Sequence, residues 1–176
     1  MQRLSRFLLL LLALAAFPSF APAQAQTPPP SGWPPFLRWN LVPEWITWDS
    51  TKQQPTIRWP ANDGCAAKPV DETLPVGTLI DRFGGTSGSF FSPRGARFNA
   101  RATPYICTME DYRIYKLMVA LPVHTCKAAP WFWLSGGAIQ FKTDDSAQAL
   151  TDKHVIEEVL HEVGGNSLPY PQCGGP

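Results

Sequence analysis

The chain has 176 residues and a formal net charge of +1, with seven Trp, ten Phe, nineteen Pro and four Cys. A near-neutral balance excludes the strong field that steers basic proteins to nucleic acid or to anionic membrane. Few charges with many aromatics exclude a disordered chain, and the length suits one domain with a real core.

In chain order, Arg3 and Arg6 precede an almost unbroken apolar run at 7–17 (FLLLLLALAAF), and Ala21, Ala23 and Ala25 follow in the small-residue pattern of a signal-peptidase site. The run is about half of the roughly 20 residues needed to cross a bilayer. The pattern predicts a cleaved secretory signal over 1–25, cut after Ala25 or after Ala23, with no stable membrane anchor. The expected destination is secreted, at or beyond the cell surface. In an exported chain, Cys65, Cys107, Cys126 and Cys173 predict two disulfides, and sequence leaves all three pairings open. No C-x-x-C pair favours a metal site over disulfides, and no N-x-S/T sequon is present.

Residues 26–73 open on a Pro-rich lead, QTPPPS at 26–31, and carry Trp33, Trp39, Trp45, Trp48 and Trp59 among further prolines. They predict an irregular arm whose rings need burial, either against the main body or in a partner surface such as a homodimer. From Leu74 the texture changes. Pro75-Val76-Gly77 marks a turn, and 78–83 (TLIDRF) reads as a strand broken by GGTSG. A second short strand is expected at 89–92 (SFFS), stopped by Pro93-Arg94-Gly95. Residues 112–121 (YRIYKLMVAL) read as one central strand, apolar on both faces and ended by Pro122. A further strand is expected at 138–142. Near the end, Asp152 is placed to cap a helix running to about Val163, with Val155, Ile156, Val159 and Leu160 on one face and Gly164-Gly165 as the stop. The sum predicts an α+β fold: a compact, sheet-dominated domain over 74–164 with a short C-terminal helix, then a tail over 165–176 carrying Cys173.

The usual catalytic patterns are missing, with no G-x-S-x-G and no H-E-x-x-H. His154 and His161, with Glu157 and Glu158 between them, read as a solvated helix face or a metal site. Asp144-Asp145 reads as a turn, with calcium ligation the second reading. A different set converges on dinucleotide chemistry. Arg82 and Arg101 border glycine-rich turns, and arginine forks match phosphate oxygens. Gln140 lies in a strand whose Ile139 and Phe141 face the opposite way. Trp131, Phe132 and Trp133 supply flat rings. Taken alone, the set also fits core aromatics, one amide and two surface arginines.

The run from 74 to 104, LPVGTLIDRFGGTSGSFFSPRGARFNARATP, resembles the opening of the tuberculosis necrotizing toxin domain. Its ordered pieces are Pro75-Val76-Gly77, Asp81-Arg82-Phe83-Gly84, 88–93 and 101–104. YRIYKLMVALPV and APWFWLSGGAIQF resemble the family's central strand and its later glycine-pair segment. The signal, arm and cysteines are more similar to the secreted fungal surface members than to bacterial toxin domains. The resemblance implies hydrolysis of NAD or NADP to nicotinamide and ADP-ribose or its phosphate. It implies that Arg82 and Arg101 hold the pyrophosphate, that Phe83 and Phe90 line the nicotinamide side, and that Gln140 acts at the nicotinamide ribose. Arg82 and Gln140 would be the catalytic pair, with Trp131 and Phe132 in the substrate-lining segment. No cofactor is required, though calcium binding near the C-terminus is known among fungal relatives. An inactive binding module of the same fold and an ADP-ribosyl transferase are the competing expectations. Transferase chemistry normally uses a glutamate where Gln140 stands.

Overall fold

A computed structural model describes residues 28–41, 43–164 and 173. The expected signal and most of the expected tail therefore lie outside the described residues. No helix among those described is long and apolar enough to cross a membrane.

The arm begins with turns and forms a small antiparallel hairpin, β1 (Ile46–Asp49) with β2 (Gln54–Ile57). Its rings are buried against the body. Trp33, Leu37, Leu41 and Ile46 pack around Phe132, which is completely buried, with Trp39, Trp45, Trp48, Trp131 and Leu134 at the margin. Of the two fates expected for the arm, the structure shows packing on the main body.

Seven strands make one antiparallel sheet in the order β3-β7-β8-β5-β4-β6-β9. They are β3 (Val70–Leu74), β4 (Leu79–Phe83), β5 (Phe90–Pro93), β6 (Tyr112–Leu117), β7 (Leu121–Lys127), β8 (Ile139–Lys142) and β9 (Ile156–Glu162). The main core lies on one face and includes Leu74, Ile80, Phe91, Tyr115, Leu117, Val123, Phe141 and Ile156. The short helix α1 (Ala147–Asp152) covers it with Ala147 and Leu150. Ser146 caps α1, its hydroxyl accepting from the Ala149 N–H at 3.2 Å. Both sheet edges are charged: Asp71 and Glu72 on β3, and Glu157, Glu158 and Glu162 on β9. Such edges resist pairing with other chains.

Two expected elements differ. The helix expected from Asp152 to about Val163 is instead the edge strand β9, and the helix lies just before it. The apolar spacing misleads because β9 is bulged. Leu160 pairs with Ile114 and Glu158 with Tyr115, leaving Val159 as the extra residue. The bulge sends Ile156 into the main core and Leu160 to a second cluster with Tyr112 and Ile114. Two residues four apart thus bury on opposite sides, which imitates a helical stripe. His154 and His161 accordingly share no helix face. His154 sits in a turn at φ +55°, and His161 pairs with Asp111 at 3.0 Å.

The single strand expected over 112–121 is two strands. Met118 and Val119 form an exposed corner between β6 and β7, which are not sheet neighbours. Pro122 does not end a strand. It lies within β7, opposite Thr73, at the end that β8 does not reach. A missing N–H costs least there.

The four cysteines form Cys65–Cys126 and Cys107–Cys173, each with Cα atoms 5.7 Å apart. The first staples the arm to β7. The second holds Cys173 beside the cluster of Tyr112 and Ile114.

Candidate active site

A cleft of about 540 Å³ opens where the arm meets the sheet. Its sheet wall carries Arg82 and Phe83 from β4, Phe90, Phe91 and Ser92 from β5, and Gln140 from β8, with Arg101 and Tyr105 on the connecting segment. Its arm wall carries Trp59, Pro60, Asp63 and Gly64.

Strand alternation splits the DRF triplet. Arg82 shares a face with Ile80, so the guanidinium is buried over the Phe91 ring, 5.6 Å from its centroid. Its Nη1 donates to the Gly88 carbonyl, and its Nε has no hydrogen-bond partner. A side chain at Gly88 would collide with this guanidinium, so the glycine is what admits the arginine. Burial is the largest influence on Arg82 and lowers its pKa from the ordinary arginine value. No carboxylate forms an ion pair with it among the described residues. A desolvated, unneutralised fork is a strong anion anchor, because an anion supplies the hydrogen bonds that water no longer does.

Arg101 is built differently. Its Nη2 meets Asp81 Oδ1 at 2.5 Å, and Nε and Nη2 both donate to the Ala96 carbonyl. Asp81 is fully buried, and its other oxygen accepts from the Tyr112 hydroxyl and the Gly95 N–H, each at 2.7 Å. That set of bonds satisfies the carboxylate and fixes Arg101, which also lies over Phe83 with 5.0 Å to the centroid. Phe83 packs edge-on against Phe98 at 4.9 Å. Arg101 therefore reaches the cleft with its charge already compensated.

Gln140 alternates with Ile139 and Phe141, which pack on the main core. Its Nε2 donates to the Asp63 carbonyl at 2.9 Å. A carbonyl can only accept, so the amide nitrogen must face Asp63 and Oε1 is left as an acceptor. Lys142, two residues on, pairs with the Asp63 carboxylate at 2.7 Å and lies over Phe90.

Arg82, Phe83, Phe90, Arg101 and Gln140 are thus brought to one cleft. Trp131 and Phe132 are not. Phe132 lies in the arm core, and the Trp131 indole N–H donates to the Arg58 carbonyl. Trp133 projects to solvent, 72% exposed, against Trp45. Asp144 and Asp145 stand apart from the cleft. Asp144 is almost wholly exposed, 3.8 Å from His124, and Asp145 pairs with Lys153 at 2.6 Å. Among the described residues no group of three His, Cys, Asp or Glu is placed to hold a cation.

The sequence reading missed Trp59, Asp63, Asp81, Tyr105 and Glu110. Asp81 had a visible signal, a lone acid inside an apolar strand, which demands a buried partner. Glu110 had none. Its carboxylate stands over Gly84, where a Cβ would lie 3.0 Å from Oε2 and 4.0 Å from Arg82 Nη2. Burial, seconded by Asp111 and opposed by Arg82, pushes its pKa from the ordinary 4.5 to about 7.

The tuberculosis necrotizing toxin family matches residues 73–159. The conidial surface nicotinamide adenine dinucleotide glycohydrolase nadA of Aspergillus fumigatus is 34% identical over 113 residues, covering 59% of this chain and 48% of that protein. The chain thus matches about half the length of that relative. The solved tuberculosis necrotizing toxin, complexed with its immunity factor, is similar in fold. Its TM-score is 0.51 at 20% identity, covering 60% of this chain and 63% of that one.

Proposed function

Since residues 73–159 belong to the tuberculosis necrotizing toxin family, we propose that this chain is a secreted NAD(P) glycohydrolase working in the cleft between arm and sheet. The observation that carries the proposal is the pairing, in one cleft, of an uncompensated buried arginine with an amide fixed by its neighbours. The two closed disulfides and the surface location named for the fungal relative support export.

In the proposed reaction the C1′–N bond of the nicotinamide riboside breaks heterolytically. The bonding pair leaves on the nicotinamide nitrogen, giving neutral nicotinamide. The oxocarbenium-like ribosyl centre is captured by water, whose surplus proton goes to solvent. The leaving group is a ring cation that becomes neutral, so no strong general acid is needed. Gln140 has no useful basicity, and its free Oε1 suits it to accept from a ribose hydroxyl or the attacking water. Arg82 anchors the pyrophosphate. Arg101 adds a preset fork beside it. Phe83 and Phe90 enclose the nicotinamide end, while Trp59 and Tyr105 offer ring faces across the cleft. Most of the acceleration then comes from positioning and preorganised polarity.

The test is incubation of the purified, oxidised chain with NAD and, separately, NADP, following free nicotinamide. The expected result is nicotinamide with ADP-ribose, or with ADP-ribose phosphate, in equal amounts. No release from either dinucleotide contradicts the proposal, and ADP-ribose attached to protein would replace hydrolysis by transfer.

A further inference from the structure

Gln140 is held by a closed ring of contacts. Cys126 on β7 is its cross-strand partner, so the two side chains emerge on the same face of the sheet, as directly opposed residues must. From Cys126 the disulfide crosses to Cys65. Immediately before Cys65 lies a loop in which Asn62, Asp63 and Gly64 all have positive φ, at +52°, +55° and +85°. Two of these residues bear side chains, and such a run is held only where surrounding contacts demand it. The Asp63 carbonyl at the centre of that loop accepts from Gln140 Nε2, whose nitrogen also lies 3.8 Å and 3.9 Å from the two sulfurs.

Accordingly, we infer that the Cys65–Cys126 disulfide and the loop at 62–64 are the positioning device for the Gln140 amide, so that turnover requires this one disulfide to be closed. The inference rests on the reading of the cleft given above. Cys65 and Asp63 are positioning residues, acting through Gln140. The fold does not hang on the bridge alone. Ala66 N–H donates to the Lys127 carbonyl at 2.9 Å and Ala129 N–H to the Gly64 carbonyl at 2.7 Å. Opening the disulfide removes the covalent tie of the loop to β7, while these bonds and the Lys142–Asp63 pair keep the loop attached. A dithiol does this by giving two electrons and two protons: the S–S bond breaks, two thiols form, and the reductant leaves as its own disulfide. The other bridge, Cys107–Cys173, packs beside Tyr112 and Ile114 of β6, among different residues from those of this ring.

The experiment compares steady-state nicotinamide release by the full chain and by two double variants, C65S/C126S and C107S/C173S. For C65S/C126S, kcat falls roughly tenfold to a hundredfold while KM for NAD stays within about threefold, since the pyrophosphate anchor is untouched. For C107S/C173S, kcat stays within about twofold. Near-UV circular dichroism identifies any variant that fails to fold. If C65S/C126S does not fold, Gly64→Ala decides: the disulfide stays closed, yet a side chain at φ +85°, 3.7 Å from Gln140 Oε1, moves the loop. The same kcat loss is expected there. A folded C65S/C126S or Gly64→Ala with wild-type kcat overturns the positioning device alone. A wild type that releases no nicotinamide overturns both it and the reading of the cleft.

Discussion

The two walls of the cleft are made by opposite means. The sheet wall is regular. Its side chains are aimed by strand alternation and register, and its buried charges are matched atom by atom around Asp81. The arm wall has little regular structure. It is held by ring packing around Phe132, by one disulfide and by a loop of positive-φ residues. The sheet wall supplies anchoring charge, and the arm wall supplies the carbonyl that turns Gln140 and the exposed ring of Trp59. Each wall should therefore fail in its own way. Damage to the charged groups of the sheet wall should cost stability or substrate binding, whereas damage to the arm wall should leave a folded protein with a displaced Gln140 amide or a weaker ring contact.

The largest expected effect is at Asp81. Asp81→Asn leaves Arg101 buried without its counter-charge, and breaking such a pair costs about 3–5 kcal/mol. Denaturant unfolding should show that loss, and a loss below about 1 kcal/mol would mean the carboxylate is not the keystone of the sheet wall. Next is Arg82→Ala, which removes the uncompensated anchor. It should lower kcat/KM for NAD by roughly a hundredfold, the scale of a charge-assisted bond pair. Arg82→Lys should recover little, because one ammonium cannot hold the Gly88 carbonyl and an anion in the same fork geometry.

On the arm wall, Trp59→Ala should raise KM for NAD about fivefold with unchanged melting temperature, the scale of one ring contact. An equal fall in stability and activity would make Trp59 a core residue instead.

The smallest effect is a pH dependence. Glu110 titrates at about 7 in the fold against an ordinary 4.5. A raised acid binds its proton more tightly when folded. Its contribution is complete below the unfolded value and is lost as pH climbs from about 4.5 to about 7. Glu110→Gln should therefore raise the melting temperature relative to wild type more at pH 8 than at pH 5. An equal difference at both values would show that Glu110 is not destabilised by its surroundings.

How far the sequence was legible follows the same division. The strands at 79–83, 90–93 and 139–142 announced themselves because each is short, dense in β-formers and bounded by Gly or Pro. The residues they bring to the cleft, Arg82, Phe83, Phe90 and Gln140, are ones the ordered motifs singled out. The bulge at Val159 and the corner at Met118 and Val119 did not show, since both depend on which strand pairs with which. A bulge converts a two-residue period into something close to a helical one. Asp63 was invisible for another reason: what it contributes is a backbone carbonyl, which any residue possesses. Trp131 and Phe132 show the reverse case. Aromatic side chains near a glutamine in sequence suggested a ring platform, yet Phe132 fills the core under the arm and Trp131 packs at its margin. Composition cannot tell a ring that stacks on substrate from a ring that fills a void.

The most direct test is steady-state NAD hydrolysis by Gln140→Ala beside wild type, with both shown to be folded. The account predicts that kcat drops about a hundredfold or more while KM changes less than about threefold, because the amide acts at the reacting ribose and Arg82 does the holding. A Gln140→Ala protein with wild-type kcat would contradict it.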